Sequence, residues 1–384
     1  MRLAPQRRLP LSTQLVGVDG GATHVRAVHV EVEPAPGGGL RVRASGAERS
    51  RAHRQVPGFE TPAERGLASA EKLGPIGPAE REQGWAWVES TARCVLELAH
   101  ERGAARVLLG IAFPGRKTAD ARGIDFALNG PRVPEFLNQL EQLLRSEGLE
   151  FDGELLGLQS DGWCAGVGEA HADDGGLRGV RDAYYVGGGT GLAEALCLRG
   201  ELVELAEVED WFPRGWRMQW DGAPLESWVS ASGINRRWAD ITGLGLPLEP
   251  GRFPEDRVQR DPRARELLEQ AGEALGQLVA HRLVALQSGG RPESGHVGPI
   301  RLERVLVGAQ LGRMLADPRT QGSLRRAFEA RLDEGLRRTG LDALYPPDGG
   351  RGMERREFVR LSRLAHPAAI GAAVEALSQW GGRG

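Results

Sequence analysis

The chain has 384 residues, with 49 Lys and Arg against 52 Asp and Glu, for a formal net charge of −3. This length exceeds one small core and predicts two domains, and the near balance of charge gives no long-range pull towards nucleic acid or an acidic membrane surface. No segment approaches the ~20 uninterrupted apolar residues of a membrane span, and no apolar run of signal length follows Arg2, Arg7 and Arg8. Cys94, Cys164 and Cys197 are isolated, which suits a reducing cytoplasm and is too few for a four-ligand cysteine site.

In chain order, the first element is a buried strand from Leu15 to Asp19, followed by Gly20-Gly21-Ala22-Thr23 and a second strand reaching Val30. Glycine accepts positive φ without steric cost and lets backbone N–H groups approach an anion closely. Thr23 adds a hydroxyl donor, and Asp19 stands where a hydrated Mg²⁺ is held. Residues 31–84 are broken repeatedly by Pro34, Pro36, Gly37 to Gly39, Pro57, Pro75 and Pro78, and read as a long irregular insertion at the surface. Trp85, Val88, Val95, Leu96, Leu98 and Ala99 recur at helical spacing up to Arg102, and Arg106 to Ile111 is the next buried strand. Pro134 to Ser146 is a helix, ahead of a strand at Glu154–Leu158 that delivers Asp161.

A second glycine turn, Gly187-Gly188-Gly189-Thr190-Gly191, again lies between two apolar runs, Tyr184 onward and Leu192 to Leu198. A long helix with one apolar face spans Pro262 to about Gln287. A loop from Gly289 to Pro299 precedes a strand at Val305, and Gly349 to Gly352 marks a further break. Alternating strands and helices predict sheets flanked by helices, and the paired hairpins suggest a duplicated architecture without an internal sequence repeat.

Two strand–Gly–Thr–strand hairpins, each opening half of the chain, resemble the paired phosphate loops of the actin, sugar kinase and Hsp70 superfamily. Within it, most of the chain is similar to the ROK family of sugar kinases. Val107 to Gly115 resembles the strand and Pro-Gly turn before the sugar site, and Ala127-Leu-Asn129-Gly130 its sugar-contacting asparagine segment. Leu158-Gln-Ser160-Asp161-Gly resembles the segment whose aspartate is the catalytic base, Arg304 to Gly312 the adenosine-side strand and turn, and Ala368 to Ala373 the closing helix.

The resemblance implies an α/β fold of two actin-like (ribonuclease H-like) domains, with mixed sheets flanked by helices and a cleft between them. The first domain would span 1–128, completed by a C-terminal helix at 362–384, and the second 129–361. It implies ATP and Mg²⁺, with Asp19 holding the metal through water. Gly20, Gly21 and Thr23 would lie near the terminal phosphates, Gly188, Gly189, Thr190 and Gly191 would cradle phosphates from the other domain, and Gly308 would admit the backbone to the adenosine. Asp161 would accept the proton of a sugar hydroxyl as it attacks in line, without needing a raised pKa. Asn129, Gly130, Ser160, Glu207 and Glu226 would meet the sugar, Glu226 with two acceptor oxygens suited to a vicinal diol. A cytoplasmic homodimer is the family expectation.

Each role has a plainer competitor. Asp161 also fits a helix N-cap, Asn129 before Gly130 fits a left-handed turn, and Glu207 belongs to an acidic run with Glu201, Glu204, Glu209 and Asp210 that fits a solvated edge. The chain also departs from the family. It lacks the cysteine-rich zinc motif, so no structural zinc is expected, and Glu209 and Asp210 stand where the family's Glu-x-Gly-His segment has glycine and histidine. Ser160 replaces the usual asparagine. Trp211, Trp216, Trp220 and Trp228 crowd one segment and are expected to fill core or interface rather than stack on sugar.

The leading expectation is therefore an ATP-dependent kinase for a hexose or amino sugar. Two alternatives stay open: a protein of the N-acetylglucosamine kinase and activator ATPase group, and a pseudokinase that binds sugar or nucleotide without turnover. A DNA-binding regulator would carry a helix-turn-helix ahead of the first hairpin, where only about fourteen residues stand.

Overall fold

The first sheet grows outward from the Asp19 hairpin. A computed structural model of the chain describes residues 10, 13–34, 40–66, 72–151, 154–289, 299–345 and 358–381. Strand β1 (Thr13–Gly20) pairs antiparallel with β2 (His24–Pro34), which pairs antiparallel with β3 (Leu40–Ala52). On its other side β1 runs parallel to β4 (Arg106–Phe113), and β4 runs parallel to the short β7 (Gln159–Ser160). A small ribbon, β5 (Arg116–Lys117) with β6 (Ile124–Phe126), follows β4.

The second sheet repeats this plan. Strand β8 (Ala183–Gly188) lies between antiparallel β9 (Leu192–Leu198) and parallel β13 (Arg304–Gly308). The edges are β10 (Glu201–Val203) and β14 (Val359–Leu361). The orders β3-β2-β1-β4-β7 and β10-β9-β8-β13-β14 match position by position and in strand direction. The duplication that the two glycine hairpins suggest is thus present in the topology.

One face of the first sheet, with Val16, Val18, Val25 and Ala27, packs on α1 (Pro78–Glu101) and α2 (Phe136–Ser146). Pro78 opens α1, where a missing N–H costs nothing, and Gly103 at φ 64° follows its end. The opposite face meets the closing helix α10 (Pro367–Gly381), which also packs on α3 (Asp161–His171). Glycines permit this close approach. A Cβ at Gly17 or Gly110 would overlap the carbonyl oxygen of Ala369 or Ala372 in α10. On the far side of α10, a Cβ at Gly371 would overlap the carbonyl oxygen of Cys164 in α3.

The second sheet is covered by α7 (Pro262–Ser288), whose N-cap Asp261 accepts the N–H of Arg263, and by a helical layer packed on it. That layer includes α4 (Glu226–Val229), α5 (Ala231–Thr242), α6 (Pro254–Arg257) and α9 (Arg326–Thr339), while α8 (Ala309–Ala316) follows β13. A two-strand ribbon, β11 (Gln219–Trp220) with β12 (Ala223–Pro224), leads into α4. Buried among Tyr184 and Phe212, Glu194 accepts from Arg282 at 2.6 Å, from the Tyr184 hydroxyl at 2.5 Å and from the Gly215 N–H at 2.6 Å. A buried pair of this kind holds its neighbours in one arrangement, because either charge left alone there would cost several kcal/mol, about 3–5.

The tryptophans divide by burial. Trp228 lies in the core with its Nε1 donating to the Trp220 carbonyl, and Trp211 and Trp220 pack against that core. Trp216 is half-buried beneath the Arg217 guanidinium. Trp228→Ala is expected to lower stability by about 3–5 kcal/mol, read as a large fall in melting temperature. Trp216→Ala is expected to cost less than about 1 kcal/mol, in keeping with a partly exposed site.

Three sequence expectations change. The span 31–84 is not irregular throughout, because β2 continues to Pro34 and β3 occupies Leu40–Ala52. This edge strand alternates small and apolar residues with Arg41, Arg43, Arg49 and Arg51, a charged pattern that protects an open edge and weakens the apolar signal. No strand forms at 154–158 among the described residues; the segment ahead of Asp161 is the two-residue β7. The compact units are 1–178 with 366–384, and 179–365, rather than a division after 128. Residues 129–178 stay with the first unit because α2 packs on α1, β7 pairs with β4, and α3 packs on α10. The arginines at 2, 7 and 8, most of the Gly289–Pro299 loop, and the Gly349–Gly352 break lie outside the described residues. Among the described residues, no helix is long and apolar enough to cross a membrane.

Candidate active site

In the first unit, Asp19 is the next-to-last residue of β1, and the hairpin that follows closes with the Gly21 N–H donating to the His24 carbonyl at 2.8 Å. Among the described residues the N–H groups of Ala22 and Thr23 have no hydrogen-bond partner, so the tip offers two backbone donors. Thr23 is exposed, and its Oγ1 lies 3.0 Å from Nδ1 of His24. Gly20 is required by space rather than φ, since a Cβ there would enter the Phe113 ring.

Ser160 ends β7 opposite Phe113 and is the N-cap of α3, so Asp161 is the first helical residue and not the cap. Its Oδ1 accepts the Gly162 N–H at 2.9 Å. The helix N-terminus favours an anionic carboxylate there. Asp19 is the next-to-last residue of β1 and Asp161 directly follows β7, and these two strands flank β4. Burial pushes the Asp19 carboxyl up to about 7, Asp161 pushes it in the same direction, and Arg26 pulls it back.

A desolvated carboxylate beside a second one favours a cation. Among the described residues no three His, Cys, Asp or Glu side chains gather as a metal group. This donor set fits Mg²⁺, which takes one or two carboxylates and fills its remaining positions with phosphate oxygens and water.

Asn129 occupies a turn closed by the Gly130 N–H to the Ala127 carbonyl at 3.4 Å. A Cβ at Gly130 would enter the Trp87 ring, which stacks on Phe113 with centroids 5.4 Å apart. The Asn129 turn and Gly20 therefore lean on the same aromatic column.

In the second unit, the Gly189 N–H donates to the Gly191 carbonyl at 2.9 Å, and the Ser232 N–H to the Gly189 carbonyl at 3.1 Å. A Cβ at Gly188 would overlap the Val229 carbonyl oxygen, whereas the space around Gly189 is open. Glu226 sits at the start of α4, and its Oε2 accepts the Leu192 N–H at 3.0 Å. Its carboxylate thus faces the Gly191 turn. Gly308 ends β13 in register with Gly187, and a Cβ there would come 2.6 Å from the Tyr185 hydroxyl. Glu207 is exposed in the turn after β10, while Glu209, two residues on, pairs with Arg217 at 3.0 Å.

The structure thus gathers Asp19, Gly20, Gly21, Thr23, Ser160 and Asp161 at one end of the first sheet. It gathers Gly188, Gly189, Thr190, Gly191, Glu226 and Gly308 at the corresponding end of the second. Two neighbours went unremarked in the sequence. Arg26 pairs across the hairpin with Asp19, a register that counting from the Gly-Gly turn would reveal. His53, buried beside the same hairpin, carries no such signal.

The chain has the fold of the ROK-family sugar kinases. It is similar to a ROK family glucokinase from Streptomyces griseus, in complex with glucose and AMPPNP, with TM-score 0.57 and 16% identity over 97% of this chain and 100% of the other. It is likewise similar to the ROK hexokinase from Thermus thermophilus, with TM-score 0.55 and 17% identity over 96% and 99%. A ROK family transcriptional regulator, a homolog of the E. coli MLC protein, shares the fold with TM-score 0.51 and 12% identity over 96% of this chain and 79% of the other. No family model matches the chain, and no curated protein matches it in sequence.

Proposed function

We propose that the chain is an ATP-dependent sugar kinase that transfers the γ-phosphoryl group of ATP to a hydroxyl of a hexose or amino sugar. The observation that carries this reading is the electrostatic coupling of Asp19, next to last in β1 before the hairpin, to Asp161, which directly follows β7, beside a hairpin with open N–H donors.

In this mechanism the N–H groups of Ala22 and Thr23 donate to phosphate oxygens, and the second hairpin is a further candidate phosphate loop through Thr190 and Gly191, the Gly189 N–H being taken by the Gly191 carbonyl. Asp19 would hold Mg²⁺ through water, and the bound ion supplies charge neutralisation on the phosphates. Asp161 accepts the proton of the attacking sugar hydroxyl, held ready by its place at the first turn of α3. Asn129 and Ser160 are the candidates in the first unit to orient the sugar, and Glu226 braces the second hairpin in addition to any sugar contact. Asp19 must be ionised for the cation, so nucleotide affinity should rise as pH passes upward through about 7.

The test is product mass spectrometry after incubation with Mg·ATP and a panel of hexoses, N-acetylhexosamines and amino sugars. A sugar heavier by one phosphoryl group supports the reading, and ATP binding with no phosphorylated sugar opposes it. A non-catalytic sugar- or nucleotide-binding protein is the second reading, favoured by the regulator that shares the fold and by the exposed position of Glu207.

A further inference from the structure

His53 follows the edge strand β3 and is buried, with 3% of its surface exposed. Its backbone N–H donates to the Thr23 carbonyl at 2.9 Å, and its Nε2 lies 2.9 Å from the Gly21 carbonyl oxygen. A carbonyl only accepts, so Nε2 carries the proton. Burial pulls the ring's pKa down to about 4, which keeps it neutral near pH 7, and Nδ1 then accepts from the Ser90 hydroxyl at 2.6 Å. The ring face stacks on Trp87 with centroids 5.1 Å apart, so its orientation is set from two directions.

The consequence follows from the planar trans peptide. The Gly21 carbonyl and the Ala22 N–H belong to one peptide group and point to opposite sides. Holding the carbonyl inward on Nε2 turns the Ala22 N–H outward, and that is one of the two open donors of the tip. Flanking glycine leaves this peptide free to rotate otherwise, because Gly21 tolerates most backbone conformations.

We propose that His53 is a positioning residue for the first hairpin, fixing the Gly21–Ala22 peptide so that its N–H faces a nucleotide phosphate. This rests on the kinase reading above, in which the hairpin binds phosphate. His53 does not touch the nucleotide. Its contribution is to remove the rotational freedom that a Gly-Gly turn would otherwise lose on binding, which is pre-organisation.

The experiment measures Mg·ATP binding by calorimetry, and KM for ATP and for sugar, in the parent, His53→Ala and His53→Gln. The amide nitrogen of glutamine can take the place of Nε2. His53→Ala is expected to weaken ATP binding and raise its KM about tenfold, the loss of one buried hydrogen bond of about 1.4 kcal/mol, with KM for sugar unchanged. His53→Gln is expected to recover most of that loss. Equal ATP affinity in all three proteins would overturn the proposal. A parallel loss of ATP and sugar affinity that glutamine does not rescue would also overturn it, reducing His53 to a structural part. A parent that binds no ATP would overturn the kinase reading itself and this proposal with it.

Discussion

Asp161→Asn is expected to reduce sugar-dependent ATP turnover by at least about a hundredfold, the lower end of what a positioned general base contributes. The amide is nearly isosteric and can still accept the Gly162 N–H through its oxygen, so α3 keeps its first turn. Melting temperature should therefore stay close to that of the parent. Loss of the Asp161 charge also removes one of the two influences that hold the Asp19 proton on, so Asp19 should ionise at lower pH in the variant. The combination expected is intact fold, retained or improved Mg·ATP binding, and lost transfer. Steady-state kinetics and calorimetry on the same preparation separate these three readouts. Unchanged turnover would remove Asp161 from the mechanism.

The second large effect is on stability. Gly110→Val is expected to destabilise the first unit by about 3 kcal/mol or more, the upper range for overpacking a well-filled core. Gly110 sits in the middle of β4, where even a methyl group would overlap backbone atoms of Ala372 and Ala373 in α10. Backbone cannot swing aside as a side chain can, so the helix must lift from the sheet. That would also disturb the seat of Gly371 against Cys164 in α3, the helix that starts with Asp161. Chemical denaturation should show the loss as a lowered midpoint. Gly322→Ala serves as the control, since nothing lies within 4 Å of its added carbon, and should leave the midpoint unchanged or slightly raised.

Asp19 and His53 make opposing contributions to stability against pH. The Asp19 pKa is raised from 3.8 to about 7, so its contribution to stability is full below pH 3.8 and is lost as pH rises to about 7. The His53 pKa is lowered from 6.5 to about 4, so its contribution is full above pH 6.5 and is lost as pH falls towards about 4. The two slopes partly cancel between about pH 4 and 7 in the parent. Relative to the parent, Asp19→Asn should make the slope of stability against pH more positive, and His53→Gln more negative. Melting curves taken across that range check both signs, and identical profiles in all three proteins would refute the assignment.

Much of this was legible in the sequence because backbone geometry leaves a strong trace. The hairpins at Asp19 and Gly187–Gly191 need glycine for close approach, and the duplicated strand order follows them. The segment at Asp161 and the closing helix at Ala368 to Ala373 were read through the family resemblance, and a helix starts at Asp161 and another spans Pro367–Gly381. What escaped were features without a periodic or glycine signal. The edge strand β3 hides its pattern behind four arginines and Glu48, which serve an exposed edge. His53 lies next to it, and its role comes from long-range contacts to Gly21, Ser90 and Trp87 that no local spacing announces. The boundary at 128 failed for the same reason. The partner that holds α3 in the first unit is α10, about 200 residues further along the chain.

Sugar phosphorylation by this chain is tested by coupled ADP release with Mg·ATP across hexoses, N-acetylhexosamines and amino sugars, with Asp161→Asn run in parallel. Turnover that depends on one class of sugar and disappears in the variant is the expected result. Tight nucleotide binding with no sugar-dependent release, or release that Asp161→Asn leaves intact, would contradict it.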